Sequence, residues 1–197
     1  MKVPEPVAEF LRGKRIAVAG VSRNEGQAAN AVYRKLRDSA YEALPVNPNT
    51  SHVEGVKCFP NLASIPGVID GVVVATHPDV SVELVRQCSG REVSRVWFHR
   101  SFGQGSVSDA AIHECEARGI QCIVGGCPLM YSAPVDLGHR CMRWWLGRQG
   151  VFSAVRNQLT MSDRLRGHCV YQAAELASII RIAILIRAQL ESTPWTH

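Results

Sequence analysis

The chain has 197 residues, 46% hydrophobic, 20% charged and 7% aromatic, which excludes a disordered, collagen-like or membrane-embedded composition and suits one domain with room for an appendage. The 22 Lys and Arg stand against 17 Asp and Glu, a formal charge of +5 without a basic block, so no nucleic-acid partner is called for, whereas a phosphate-rich small ligand is accommodated. The seven cysteines (58, 88, 115, 122, 127, 141 and 169) form no Cys-x-x-Cys pair, which argues against a disulfide framework or zinc knuckle. Met-Lys-Val-Pro-Glu-Pro at the start has no apolar core, so no secretory signal is expected and the expected location is cytoplasmic, with reduced thiols.

In chain order, residues 1–12 predict a short helix, with Val7, Phe10 and Leu11 at helical spacing. Residues 15–20 read as a buried strand ending in Gly, and 27–38 as an amphipathic helix with Ala28, Val32 and Leu36 at four-residue steps. A second strand at 41–46 ends in Pro45-Val46-Asn47-Pro48. Residues 71–75 form a third strand, 79–89 a helix, 93–98 a fourth strand, 106–118 a helix and 119–124 a fifth strand. Short strands alternating with helices imply a doubly wound parallel sheet with helices on both faces. The expected strand order is Rossmann-like, 3-2-1-4-5, with a ligand crevice at the carboxyl ends near strands 1 and 4.

The segment 134–148 predicts another helix, with Leu137, Cys141, Trp144 and Trp145 on its apolar side. With Arg140, Arg143 and Arg148 it makes a basic aromatic stretch, read as a packed helix with snorkelling arginines in preference to a nucleic-acid surface. The domain expected at 1–150 is followed by a C-terminal extension, 151–197, in which 171–191 predicts an apolar helix. Glu175, Arg181 and Arg187 make that helix a poor membrane span. Its apolar sides require burial, either within the monomer or in a homodimer contact.

The turn Gly20-Val21-Ser22-Arg23 lies where a doubly wound fold cradles a pyrophosphate, with the following helix aiming its first N–H groups at the anion. The dinucleotide fingerprint is broken, because Ser22 occupies the second Gly position. Where an NAD enzyme offers an acidic residue at the end of strand 2, this chain offers Asn47, which does not repel a phosphate on the ribose, as in CoA or NADP. Neither a Gly-x-Ser-x-Gly elbow nor a Walker A sequence is present.

Gly20-Val-Ser-Arg, Pro45-Val-Asn-Pro, Val96-Trp-Phe-His-Arg-Ser-Phe-Gly-Gln-Gly-Ser-Val-Ser, Gly126-Cys-Pro-Leu-Met and His139-Arg-Cys-Met-Arg-Trp resemble the small stand-alone CoA-binding proteins. These are similar to the N-terminal domain of the succinyl-CoA synthetase α subunit. The resemblance runs over about residues 13–148 and implies a Rossmann fold and CoA or an acyl-CoA as ligand. It implies no ligase chemistry, since the phosphorylated histidine of the synthetase lies in a domain this chain lacks. Carried over, it puts Gly20, Val21 and Ser22 at the pyrophosphate with Arg23 as a charge partner. Asn47 and Pro48 would flank the adenosine, Thr76, His77 and Pro78 would border the crevice, and Arg100 and Ser101 would contact the ligand or a loop closing on it.

Cys127 has two readings, a small buried residue in a tight Gly-Gly-Cys-Pro turn or a crevice thiol able to form a mixed disulfide with CoA. His77, His99 and His139 are read first as loop hydrogen-bonders, and His113-Glu114-Cys115 as a helix whose Cys115 faces the core. No catalytic constellation stands out. The alternatives to CoA binding are an NADP-dependent oxidoreductase and a scaffold assembling through the C-terminal helix.

Overall fold

The computed structural model describes residues 3–100, 105–148 and 153–154, all within one unit that spans Met1–Asn157. The expectations for Ser101 and for the helix at 171–191 lie outside the described residues. α1 (Glu5–Arg12) starts behind Pro4 and buries Val7 and Phe10. β1 (Arg15–Ala19) follows, then α2 (Ala28–Asp38), whose buried stripe runs through Ala29, Asn30, Val32, Tyr33 and Leu36. Next come β2 (Glu42–Val46), the short hairpin β3 (His52–Val53) and β4 (Val56–Lys57), and a 3-10 turn at Leu62–Ser64. β5 (Gly71–Val74), α3 (Pro78–Gly90), β6 (Arg95–Phe98), α4 (Asp109–Ala117) and β7 (Gln121–Val124) continue the alternation. A 3-10 turn at Pro128–Met130, α5 (Leu137–Arg148) and β8 (Ser153–Ala154) complete the described elements.

The main sheet has the order β2-β1-β5-β6-β7-β8, parallel except for β8 against β7. The doubly wound parallel sheet is therefore as expected, but its order is not. Counted over the five major strands it is 2-1-3-4-5, and the expected 3-2-1-4-5 is corrected. Pro45 supplies the reason. Glu42 donates its backbone N–H to Lys14 O, and Gly20 N–H reaches Val46 O, so these alternate positions of β2 face β1. Pro45 then faces outward, with no N–H to give a further strand, and a proline inside a strand belongs at an edge. Among the described residues that edge meets a bridge to Phe59, whose N–H donates to Pro45 O and whose carbonyl accepts Asn47 N–H, both at 2.9 Å. The third major strand instead returns beside β1, where Asp70 Oδ2 accepts the N–H groups of Lys14 and Arg15 at 2.7 and 2.9 Å.

Alternate residues of the strands feed two cores. Ala17, Ala19, Val72, Val74, Val96 and Phe98 pack on the face of α3 and α4. Ile16, Val18, Val73, Trp97 and Ile123 pack on the face of α1 and α2, as strands covered on both sides require. Trp97 is fully buried, meets Phe10 edge-on at 5.4 Å and donates from Nε1 to Gly125 O at 3.1 Å.

α5 presents a different face from the one its period predicts. Leu137, Cys141 and Trp144 are exposed and the Trp145 side chain lies outside the described residues, while Met142 packs on the core and Arg143 lies over the Tyr131 ring and donates to Met130 O. Spacing identifies a stripe but not its partner, and here the polar anchors of Arg143 decide which side turns inward.

α2, α3 and α4 end in one motif. Tyr41 N–H returns to Leu36 O, Val93 to Cys88 O and Ile120 to Cys115 O, with Ala40, Glu92 and Gly119 at φ of 63°, 55° and 65°. Only glycine takes this left-handed C-cap position without a Cβ clash. Ala40→Gly and Glu92→Gly are each expected to stabilise the protein by about 0.5–1 kcal/mol, read as a higher urea midpoint with unchanged slope.

Candidate functional site

In a 2-1-3-4-5 sheet the connections leave in opposite directions after β1 and β5, and the crevice opens between their carboxyl ends. This corrects the expected position near strands 1 and 4 by one strand in sequence order. Gly20 ends β1 at φ 101°, and a Cβ placed on it would lie 2.4 Å from Ala75 O. The two strand ends therefore meet backbone to backbone, and any other residue at position 20 would force them apart. Gly20 N–H bonds Val46 O, and Ala75 N–H bonds Ala19 O, so the β2, β1 and β5 ends are tied in register.

The turn after Gly20 is held by side chains. Ser22 donates its N–H to Asn30 Oδ1 at 3.0 Å and accepts Asn30 Nδ2 on its carbonyl at 2.8 Å, while its hydroxyl accepts Asn24 N–H at 3.2 Å. Asn47 Nδ2 donates to Val21 O at 2.9 Å and Asn47 Oδ1 accepts Asn49 N–H at 2.8 Å. Asn47 thus fastens the second loop to the first. Pro48 beside it and Arg23 on the turn are exposed.

Past the turn, α2 begins at Gln27 without a side-chain cap or an acidic residue in its first turn, whereas His77 caps α3 and Ser108 caps α4. The N–H groups of Ala28 and Ala29 have no carbonyl within the helix to reach, and the helix dipole makes this end positive. Across the crevice, Thr76 is half-buried, and its hydroxyl is buried with no hydrogen-bond partner among the described residues. Pro78 is buried at the start of α3, while His77 faces solvent and pairs with Asp79 at 3.1 Å. Gly20, Val21, Ser22, Asn47, Thr76 and Pro78 are brought together at one end of the sheet. Arg100 stands one strand away, its N–H on Gly126 O.

Cys127 is packed in the core of the α1 and α2 face, 3% exposed, and burial pushes its thiol up to about 11. Burial favours the protonated thiol, in keeping with the reading of Cys127 as a small buried residue of the turn. Cys115 is buried and His113 exposed, as the α4 period requires.

His99 ends β6, buried, with its N–H on Val74 O. Burial first, and the nearby charge of His139 second, push it down to about 4. His139 pairs through Nδ1 with Asp136 at 2.5 Å, and Asp136 also accepts the His139 backbone N–H at 3.0 Å. Those two contacts, backbone first, hold the Asp136 carboxyl below its ordinary range.

Sequence reasoning missed Asn30 and Glu54. Asn30 could have been found as a polar residue within the buried stripe of α2, a position that needs hydrogen-bond partners. Glu54 carried no such signal, because its partners come from α2.

The fold and the crevice define a Rossmann-like doubly wound α/β domain. A family model described as the CoA binding domain matches residues 14–133, and the chain belongs to that family. The uncharacterized protein YneT of Bacillus subtilis (strain 168) is 30% identical over 122 residues, 61% of this chain and 87% of that one. Acetate–CoA ligase (ADP-forming) II of Archaeoglobus fulgidus is 27% identical over 82 residues, 41% of this chain but 12% of the ligase. A solved structure of a hypothetical protein from Pyrococcus horikoshii OT3 aligns with TM-score 0.58 and 27% identity over 65% of this chain and 92% of its own. The dinucleotide-forming acetyl-coenzyme A synthetase 1 of Ca. Korarchaeum cryptofilum, at 18% identity and TM-score 0.55 over 78% of this chain and 40% of that one, shares the fold. No helix among the described residues is long and apolar enough to cross a membrane.

The buried His99 makes stability depend on pH. The folded state keeps it neutral down to about pH 4, whereas the unfolded chain takes up a proton near 6.5, so stability falls as pH drops through that window. Urea unfolding at pH 7 and pH 4.5 is expected to show about 2 kcal/mol of loss from this group, and His99→Gln to remove that part of the difference.

Proposed function

We propose that the chain binds coenzyme A or an acyl-CoA at the carboxyl ends of β1, β2 and β5, as a domain of residues 1–150 followed by an extension at 151–197. The observation that carries this reading is the uncapped start of α2 together with the Thr76 hydroxyl beside Gly20, buried without a hydrogen-bond partner among the described residues, in a chain of the CoA-binding domain family. The residues fit such a ligand. Gly20, Val21 and Ser22 form the bed of the pyrophosphate, the α2 dipole and Arg23 supply positive potential, and Thr76 supplies a hydroxyl donor. Asn47 and Pro48 flank the adenosine, His77 and Pro78 border the crevice, and Arg100 and Ser101 would contact the ligand or a loop closing on it.

CoA would bring a thiol that carries acyl groups; the chain's own part is to hold and orient it. The chain matches about an eighth of the length of the acetate–CoA ligase relatives, and the part proposed for it is binding alone. The proposed ligand is a small nucleotide cofactor and not a nucleic acid, since the formal charge of +5 comes without a basic block.

Isothermal titration with CoA and NADP tests the reading. CoA is expected to bind and NADP not to; binding of NADP in preference to CoA overturns it in favour of hydride chemistry. Ser22→Asp keeps an acceptor for Asn24 N–H but adds negative charge to the turn, and is expected to weaken CoA about tenfold or more.

A further inference from the structure

One carboxylate outside the crevice reaches both ends of the turn that follows Gly20. Glu54 Oε1 accepts Asn30 Nδ2 at 2.8 Å and an Arg34 guanidinium nitrogen at 2.6 Å, and its side chain is 8% exposed. Asn30 spends its remaining donor and its acceptor on the carbonyl and N–H of Ser22. The second terminal nitrogen of Arg34 donates to Glu25 O at 3.1 Å. Asn30 and Arg34 stand four residues apart on one face of α2, so a single group on the hairpin braces a clamp on residue 22 and another on residue 25.

The backbone at Glu54 is unusual for such a residue. Glu54 and Gly55 have φ of 51° and 75° and form the two-residue turn between β3 and β4. Both positions of this turn type are left-handed, and the first is ordinarily Asn, Asp or Gly. A glutamate there carries a backbone cost that a residue serving the turn alone would avoid, and an outlier of this kind points to a role for the side chain.

We propose that Glu54 is a positioning residue that couples the β3–β4 hairpin to the Gly20–Glu25 turn through Asn30 and Arg34. The order of the hairpin then sets how firmly the turn holds the anionic group of its ligand, and a ligand on the turn protects the hairpin in return. The inference rests on the reading of that turn as the pyrophosphate site of CoA.

The test uses the full chain and the variants Glu54→Asn and Glu54→Gln. Asparagine suits the turn and cannot brace both clamps; glutamine keeps an acceptor for Asn30. For Glu54→Asn, amide exchange at Ser22 is expected to quicken about tenfold and the CoA dissociation constant to rise about tenfold, without a fall in melting temperature. Glu54→Gln is expected to restore most of both. A role confined to the turn predicts that Glu54→Asn leaves both quantities at the wild-type values, which overturns the proposal. Should Glu54→Asn fail to fold, Glu54→Asp, which suits the turn but is one methylene too short to reach Asn30 and Arg34 together, is read the same way. Ser22 exchange is measured without ligand, so unchanged exchange overturns the coupling even if CoA binds, whereas a wild-type chain that does not bind CoA overturns the pyrophosphate reading alone.

Discussion

The approach of Gly20 to the carbonyl of Ala75 is the contact around which the ligand end of the molecule is arranged. It brings the ends of β1 and β5 together without side-chain material between them. The chain then departs toward α2 on one side and α3 on the other, and this divergence creates the crevice. Register at the strand ends follows from the same closeness, since the bonds Gly20 to Val46, Ala75 to Ala19 and His99 to Val74 extend the ladder past the last strand residues.

The polar groups near that crevice fall into two kinds. Asn30, Asn47, Glu54 and Arg34 are engaged with backbone and with one another, so they shape the loops before any ligand arrives. The start of α2 has no side-chain cap and the Thr76 hydroxyl has no hydrogen-bond partner among the described residues, so on the proposed reading these are the groups a ligand would meet. If the proposed ligand binds there, loops already held by these bonds would spare it the cost of ordering them.

The histidines and cysteines follow the sheet more than the chemistry. His99 and Cys127 sit at strand ends, yet both are buried, and desolvation keeps the imidazole neutral and the thiol protonated at neutral pH. Neither is presented as an ionised catalyst.

Hydrophobic runs and helical periods in the amino-acid sequence located the major strands and helices to within a few residues, because each run states its own period. The Gly20 turn and the family motifs were also local and therefore legible. Strand order was legible in principle, since Pro45 marks an edge, but it depends on which neighbour each edge finds. The inward face of α5, the burial of Cys127 and the clamp from Glu54 through Asn30 to Ser22 were decided only by tertiary structure. Each joins groups remote in sequence or weighs one face of an element against another, and neither comparison exists until the sheet has assembled. A side chain's own pattern tells what it needs, and the packed neighbours determine whether a core, a carbonyl or a ligand supplies it.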